Sequence, residues 1–175
     1  MNLAWMLPEE AFIWIEKNIP EGSSILEFGS GHGSVRLSKR FSVTSIEHDP
    51  EWLGVASVDY IHAPIVENPH ATKAGEEGWY DVSIVMEQMP EDFDLVIIDG
   101  PPGVIGRTGI LSVVELLSKA RWIIVDDVDR EPESRLCKSM ETIFECPSIK
   151  YLCEIPRNDG SARSFSIFNM GVTNE

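Results

Sequence analysis

Three glycines follow the first short run of strand-forming residues in the chain. The segment 24–28, Ser-Ile-Leu-Glu-Phe, leads into Gly29, Gly31 and Gly33, and a plausible helix over 34–41 comes next. Glycine adopts backbone angles that other residues avoid, and it lets another group approach the main chain closely. A strand, a glycine turn and a helix in this order predict a β-α unit with a crevice at the carboxyl end of the strand.

The alternation of strands and helices continues along the chain. Further strands are predicted over 43–47, 58–62, 93–99, 122–125, 149–155 and 164–169, and helices over 8–19, 50–56, 109–120 and 131–145. The run 95–98 is apolar throughout, as expected for a parallel strand that helices cover on both faces. The last two strands, joined by a turn at 157–160, are expected to form an antiparallel hairpin. The sequence thus predicts an α/β fold, a Rossmann-like, doubly wound, mostly parallel seven-stranded sheet with a C-terminal antiparallel hairpin.

The length of the chain favours a single domain. Its 175 residues suit one hydrophobic core, so we expect residues 1–175 to form one unit. Residues 1–20 are predicted to place a helix against this domain. Prolines and glycines interrupt 63–92, which is predicted to be an irregular insertion on the substrate side. Within it, the pattern leaves helix or strand open for 80–89.

The charge of the chain limits its expected partners. The net charge is -15 at pH 7, and no cluster of basic residues appears. Since nucleic-acid and membrane surfaces attract basic clusters, we expect no nucleic-acid partner and no membrane partner. The chain lacks a signal-peptide pattern and a long apolar run, and its three cysteines lack CxxC spacing. These patterns predict a cytoplasmic protein, with a homodimer as an open alternative.

An acidic residue ends the second predicted strand, about 18 residues after the glycine turn begins. In doubly wound folds a carboxylate in this place accepts hydrogen bonds from the two hydroxyls of a ribose, and Glu47 is the residue here. The pairing predicts a nucleotide or nucleoside site, and a purely structural turn is the alternative. Gly33 stands one place early for the dinucleotide pattern GxGxxG, and Ser34 takes the place of its third glycine. This spacing disfavours an NAD-dependent oxidoreductase.

Two segments resemble a known enzyme family. The segment 27–33, Glu-Phe-Gly-Ser-Gly-His-Gly, resembles motif I of class I S-adenosylmethionine-dependent methyltransferases, and 45–52, Ser-Ile-Glu-His-Asp-Pro-Glu-Trp, resembles their second motif. The resemblance implies S-adenosylmethionine as the cofactor, with its ribose on Glu47, its methionine portion on the glycine turn and its adenine near His48. The residues assigned to the cofactor in this way are Glu27, Gly29, Ser30, Gly31, His32, Gly33, Glu47, His48 and Asp99.

A further resemblance covers roughly residues 22–145. The segment 93–103, Phe-Asp-Leu-Val-Ile-Ile-Asp-Gly-Pro-Pro-Gly, is similar to small-molecule and polysaccharide O-methyltransferases, including plant glucuronoxylan methyltransferases. The later Gly-Arg at 106–107 and Asp-Val-Asp-Arg at 127–130 extend the likeness. It implies methylation of a hydroxyl on a small-molecule or carbohydrate-like substrate. The plant enzymes usually carry His where this chain has Asp126.

Three aspartates are predicted to converge on the same crevice. Asp99 ends the fourth predicted strand, and Asp126 and Asp127 end the fifth. A hydroxyl must lose its proton to attack a methyl group, and a carboxylate base or a divalent cation can promote that loss. Asp99 and Asp126 are therefore the candidate catalytic residues. All three aspartates are also candidate ligands for magnesium or another divalent cation, as a likeness to cation-dependent catechol and macrolide-sugar O-methyltransferases implies. Scaffold roles are a further alternative.

Other polar and aromatic residues fit more than one role. Arg107 and Arg130 suit either a clamp for an anionic substrate or a surface ion pair. Trp79 and Tyr80 suit either the core or a wall beside adenine or substrate. A catalytically silent S-adenosylmethionine-binding or nucleoside-binding module is the alternative to an enzyme. Convergence of the aspartates beside an open cavity would favour the enzyme.

Overall fold

A seven-stranded sheet organises the computed structural model, which describes residues 6–157 and 159–171. In chain order the strands are β1 Ser24–Phe28, β2 Ser42–Glu47, β3 Asp59–His62, β4 Ile65–Glu67, β5 Gly78–Tyr80, β6 Leu95–Ile98, β7 Trp122–Val125, β8 Ser148–Leu152 and β9 Ser164–Asn169. The order in the sheet is β3-β2-β1-β6-β7-β9-β8, and β4 and β5 form a separate antiparallel ribbon. Strands β1, β2, β3, β6 and β7 are parallel, and β9 runs antiparallel to both β7 and β8. The predicted fold, including the C-terminal hairpin, is confirmed.

Among the described residues, five α-helices surround the strands. They are α1 Glu9–Asn18, α2 His32–Leu37, α3 Val82–Gln88, α4 Val114–Leu117 and α5 Glu131–Phe144, with 3-10 turns at Pro50–Trp52 and Thr108–Ser112. The predicted helix 50–56 is only a 3-10 turn, and Gly54, at φ +82°, has a backbone conformation that no right-handed helix contains. The predicted helix 109–120 is divided into a 3-10 turn and α4. None of the described helices has both the length and the apolar character needed to cross a bilayer.

Both faces of the sheet are buried, which explains the uninterrupted apolar runs. On β6, Val96 and Ile98 belong to one hydrophobic cluster, whereas Leu95 and Ile97 belong to the cluster on the other face. Alternate residues of a strand point to opposite faces, so covering both faces requires apolar residues at successive positions. The chain extends the sheet from β1 toward β3 on one side and from β6 toward β8 on the other. This reversal opens a crevice at the carboxyl ends of β1 and β6.

The segment 63–92 contains more regular structure than predicted. It contains the β4–β5 ribbon and α3, and its longest irregular stretch, 68–77, lies between the two strands. Three-residue strands leave no periodic signal in the sequence, which explains the missed ribbon. The open choice for 80–89 resolves mainly as helix, because Asp81 accepts a hydrogen bond from the backbone N–H of Ser83 at 2.9 Å and caps α3.

Some predicted features fall outside the described residues. The single domain was predicted over 1–175, and residues 1–5 and 172–175 of that range are among those not described. Asn158, in the predicted turn at 157–160, is another. The N-terminal helix, predicted within 1–20, is observed as α1 directly after Pro8.

Candidate functional site

An open cleft of ≈ 1290 Å³ lies where β1, β2, β6 and β7 end. Ligand pockets for one small molecule usually measure about 300–1,000 Å³, so this cleft has room for two ligands side by side. The predicted cofactor residues on its wall are Glu27, Gly29, Ser30, Gly31, Gly33, Glu47, His48 and Asp99. His32 does not line the cleft, and its ring packs edge-on against Trp52, which does, with 5.6 Å between ring centroids.

The glycine turn holds two loops of the cleft together. Gly29 has φ +96°, and a Cβ atom there would lie 2.7 Å from the Cα of Gly100. No larger residue fits this approach, which presses the loop after β1 against the loop after β6. The backbone N–H of Gly29 also donates to the carbonyl of Ile46 at 2.9 Å. Consequently the glycine turn, the end of β2 and Asp99 lie next to one another at the bottom of the cleft.

Glu47 organises the loop that follows β2 and the loop that follows β1. Its Oε1 accepts hydrogen bonds from the backbone N–H groups of His48 at 2.6 Å and Asp49 at 2.7 Å. Its Oε2 accepts one from the backbone N–H of Ser30 at 2.8 Å. A carboxylate offers about four acceptor positions, so one remains on Oε2 for a ligand in the cleft. The sequence predicts that Glu47 accepts hydrogen bonds from two ribose hydroxyls, whereas these contacts leave one acceptor position for a ribose.

Glu27 lies deep in the cleft wall and is held by two serines. Its Oε2 accepts hydrogen bonds from the hydroxyls of Ser34 at 2.6 Å and Ser45 at 2.9 Å. Ser34 stands where the dinucleotide pattern has its third glycine, and its Oγ also accepts from the backbone N–H of Gly31 at 3.1 Å. Burial outweighs these hydrogen bonds and raises the pKa of Glu27 to about 7. Glu27 therefore exchanges its proton near neutral pH.

The raised pKa of Glu27 predicts a pH-dependent stability. Because the folded protein binds this proton more tightly than the unfolded chain, the stabilisation is complete below the unfolded pKa of 4.5 and is lost as pH rises through about 7. Glu27→Gln removes this titration and keeps the size of the side chain. We expect the variant to gain about 3 kcal/mol relative to the unsubstituted protein between pH 4 and pH 8. Urea denaturation at both pH values measures the gain, with the exposed Glu21→Gln as control. A difference that does not change with pH would contradict the assignment.

Asp99, Asp126 and Asp127 do converge, but only two of them face the cleft. One carboxylate oxygen from each lies within 4.8 Å of the others. Asp99 and Asp127 line the cleft, whereas Asp126 has no exposed surface. Its Oδ2 instead accepts from Arg163 at 2.7 Å. Burial and the pair with Arg163 favour a role for Asp126 in positioning Arg163, and its predicted catalytic role stays a prediction.

Four arginines surround these aspartates. Arg157 forms an ion pair with Oδ1 of Asp127. Oδ2 of Asp127 lies 2.9 Å from Arg130 and 3.3 Å from Arg107. Asp127 itself has φ +61°, a left-handed conformation that costs energy for a residue with a side chain. Although burial opposes it, the charge of Arg107 and the hydrogen bond from Arg157 hold the pKa of Asp127 below its ordinary value. Asp127 is therefore an ionised anchor for the arginines.

These ion pairs would compete with a divalent cation for the carboxylate oxygens. Magnesium needs oxygen atoms that are free to point at it, and the arginines already occupy both oxygens of Asp127 and one oxygen of Asp126. A cation bound here would also lie beside several guanidinium groups and be repelled by them. Asp99, Asp126 and Asp127 are thus engaged in ion pairs with arginines, and the metal site predicted for them stays a prediction.

Asp99 is the carboxylate of this cluster that a substrate could reach. Its side chain is 22% exposed, and Arg107 lies 3.4 Å from its Oδ1. Burial and then the charge of Asp126 hold the pKa of Asp99 well above its ordinary value, with Arg107 acting in the opposite direction. A carboxylate with a raised pKa is a stronger base than an ordinary aspartate.

Several residues of the cleft were not predicted from the sequence. Arg157 and Arg163 come from the connection between β8 and β9, and Glu133 lies in the first turn of α5. Nothing in the sequence pattern links these positions to Asp99 and Asp127. His62, at the end of β3, does not line the cleft, and its Nε2 lies 3.1 Å from the carbonyl oxygen of His48.

No protein-family model matches the chain, and no curated protein sequence does. Solved structures do match. An O-methyltransferase from Bacillus cereus in complex with SAH (S-adenosylhomocysteine) has a TM-score of 0.62 at 14% identity, covering 95% of this chain and 83% of that one. A methyltransferase from Pyrococcus furiosus gives 0.55 at 18% identity, with coverages of 93% and 82%. An rRNA methylase from Streptococcus thermophilus gives 0.55 at 10% identity, with coverages of 91% and 93%. The chain therefore has the Rossmann-like fold of class I methyltransferases.

The prediction that the chain has no nucleic-acid partner is wrong, because its net charge does not exclude one. The similarity to the rRNA methylase shows that proteins of this fold include enzymes that act on RNA. Net charge describes the whole surface, whereas a ligand meets only the groups around one cleft. Four arginines line this cleft despite the net charge of -15, so the charge of the chain does not decide the acceptor.

Proposed function

We propose that the chain is an S-adenosylmethionine-dependent methyltransferase that methylates a hydroxyl group of a small molecule or sugar. The observation that carries the proposal is the joining of the glycine turn, Glu27 and Glu47 in one cleft with Asp99 on its wall. The fold shared with solved methyltransferases supports it. Bound S-adenosylmethionine would supply a methyl group activated by a positively charged sulfur.

The residues present fit this cofactor. Glu47 has one acceptor position open on Oε2, which a ribose hydroxyl would fill. Glu27 lies beside the glycine turn and would face the cationic methionine portion, whose charge would favour the ionised carboxylate. A cleft with two carboxylates and close backbone approach suits a cationic nucleoside better than a pyrophosphate.

Asp99 is the proposed base for the acceptor hydroxyl. It lies between the glycine turn and the arginine cluster, where a second ligand would meet the first. The hydroxyl proton would pass to the Asp99 carboxylate as the oxygen attacks the methyl carbon, and the sulfur would leave as a neutral thioether. Because the leaving group is neutral, the reaction needs a base and alignment but no acid.

We expect Asp99→Asn to lower methyl transfer about a hundredfold at saturating S-adenosylmethionine. The rate of the unsubstituted enzyme should rise with pH as Asp99 loses its proton, and this rise should lie above the pH at which an ordinary aspartate ionises. Asp99→Asn should lose that limb of the pH profile. Transfer of labelled methyl groups to catechols, monosaccharides and RNA, each in a separate reaction, measures both effects, with the exposed Asp92→Asn as control.

The same assay separates the alternatives. Full activity of Asp99→Asn would overturn its role as base. Transfer to RNA alone would overturn the small-molecule acceptor and leave the methyltransferase assignment in place. SAH binding without transfer to any acceptor would favour a catalytically silent binding module.

A further inference from the structure

Glu133, in the first turn of α5, carries a buried carboxyl oxygen that has no hydrogen-bond partner among the described residues. The residue is 1% exposed, yet it forms part of the wall of the cleft. A buried polar atom without a partner costs free energy, because it has given up its hydrogen bonds to water. The steps proposed above do not use Glu133, and a ligand in the cleft would supply the partner that its Oε2 lacks.

Glu133 lies on the side of the cleft where the methyl acceptor would meet Asp99. Its Oε1 is 3.9 Å from Nε of Arg107, and Nη2 of the same guanidinium is 3.4 Å from Oδ1 of Asp99. The carboxyl groups of Asp99 and Glu133 therefore lie beside one planar, rigid group. An acceptor whose reacting hydroxyl lies at Asp99 would have another part of its structure near Glu133.

The charges around Glu133 favour a neutral hydroxyl as its partner. Burial raises the pKa of Glu133 above its ordinary value, and the charge of Arg107 acts in the opposite direction. An ionised carboxylate accepts a hydrogen bond from a hydroxyl, and a protonated carboxyl donates one to it, so a hydroxyl fits both states. A cationic group would be repelled by Arg107, and an anionic group would be repelled by the ionised carboxylate.

We propose that Glu133 binds a second hydroxyl of the methyl acceptor, which presents its first hydroxyl to Asp99. The inference rests on the proposed function and deepens it, because it restricts the acceptor to molecules that carry at least two hydroxyls. Glu133 binds the acceptor in this scheme, and the proton of the reacting hydroxyl still passes to Asp99. Catechols and sugars both have the required chemistry.

Pairs of acceptors that differ by one hydroxyl test the assignment. Catechol is compared with phenol, and methyl glucoside with its monodeoxy analogues, at saturating S-adenosylmethionine. We expect the unsubstituted protein to have a KM about tenfold lower for the acceptor with the additional hydroxyl, in the pair that it methylates, because one hydrogen bond is lost without that hydroxyl. Glu133→Met, which cannot form this hydrogen bond, should remove the KM difference and leave kcat unchanged.

Two variants control for the loss of the Glu133 carboxyl group. Glu131→Met removes the other acidic side chain of the same helical turn, which is 57% exposed and does not line the cleft, so both KM values should stay unchanged. Glu133→Gln keeps an oxygen atom and a hydrogen-bond donor and should restore most of the KM difference. All three variants should bind SAH as the unsubstituted protein does, which also shows that they are folded.

Three results would overturn the role of Glu133 alone. The first is methyl transfer by the unsubstituted protein without a KM difference within either pair. The second is a KM difference that Glu133→Met leaves intact. The third is loss of SAH binding in Glu133→Met, which would make Glu133 a structural residue. If the unsubstituted protein transfers methyl groups to none of these acceptors, the proposed function fails, and the role of Glu133 fails with it.

Discussion

Glu47→Ala should weaken SAH binding about a thousandfold, which corresponds to about 4 kcal/mol. Two losses combine in this variant. The ribose loses a charged acceptor, a contact of about 1.5–3 kcal/mol. In addition, the backbone N–H groups of Ser30, His48 and Asp49 lose the carboxylate that orders both loops. Calorimetric titration with SAH measures the result.

Two variants control for the loss of the Glu47 carboxylate. Glu67→Ala removes an exposed carboxylate from β4 and should bind SAH normally. Glu47→Gln keeps an acceptor oxygen but lacks the charge, so its affinity should lie between those of Glu47→Ala and the unsubstituted protein. If Glu47→Ala binds SAH within a few-fold of the unsubstituted protein, Glu47 does not hold the ribose.

Arg107→Met should destabilise the protein by about 3–5 kcal/mol. Arg107 is 3% exposed, and its guanidinium donates to the backbone carbonyls of Pro101 and Asp126, each at 3.2 Å. It also lies near the carboxylates of Asp99, Asp127 and Glu133. Without it, buried negative charges face one another with less compensation. Urea denaturation at pH 7 measures the loss.

The destabilisation by Arg107→Met should shrink at low pH, because protonated carboxyl groups no longer need the positive charge. Arg107→Lys should restore part of the stability, since a lysine keeps the charge but not the planar set of donors. Arg121→Met, at an exposed position, should cost less than about 0.5 kcal/mol. A loss below about 1 kcal/mol for Arg107→Met would contradict the cluster as a source of stability.

Much of the sheet could be predicted because its strands are buried on both faces. The run 95–98 and the run 122–125 are apolar at successive positions, and the glycine turn marks where β1 ends. The β4–β5 ribbon could not be predicted, because its three-residue strands carry no period and depend on packing against distant residues. Trp79, for example, occupies the space that a side chain at position 109 would need, which Gly109 leaves open.

The candidate site was predictable where its residues follow one another in the chain. Glu27, the glycines and Glu47 belong to two short motifs, and the structure places them on one cleft. The sequence could not show which of Asp126 and Asp127 faces the cleft. Adjacent residues at the end of a strand point in different directions, and the sequence does not say which direction each takes. Their arginine partners come much later in the chain: Arg157 is 30 positions after Asp127, and Arg163 is 37 positions after Asp126. Only the folded chain brings these charges together, so the ion pairs could not be predicted from the sequence.

Calorimetric titration of the unsubstituted protein with SAH tests the central claim most directly. We expect one molecule of SAH to bind per chain, in the cleft formed by the glycine turn and Glu47. Binding should be lost in Glu47→Ala and kept in Glu67→Ala. Absence of SAH binding to the correctly folded, unsubstituted protein would contradict the proposed methyltransferase function.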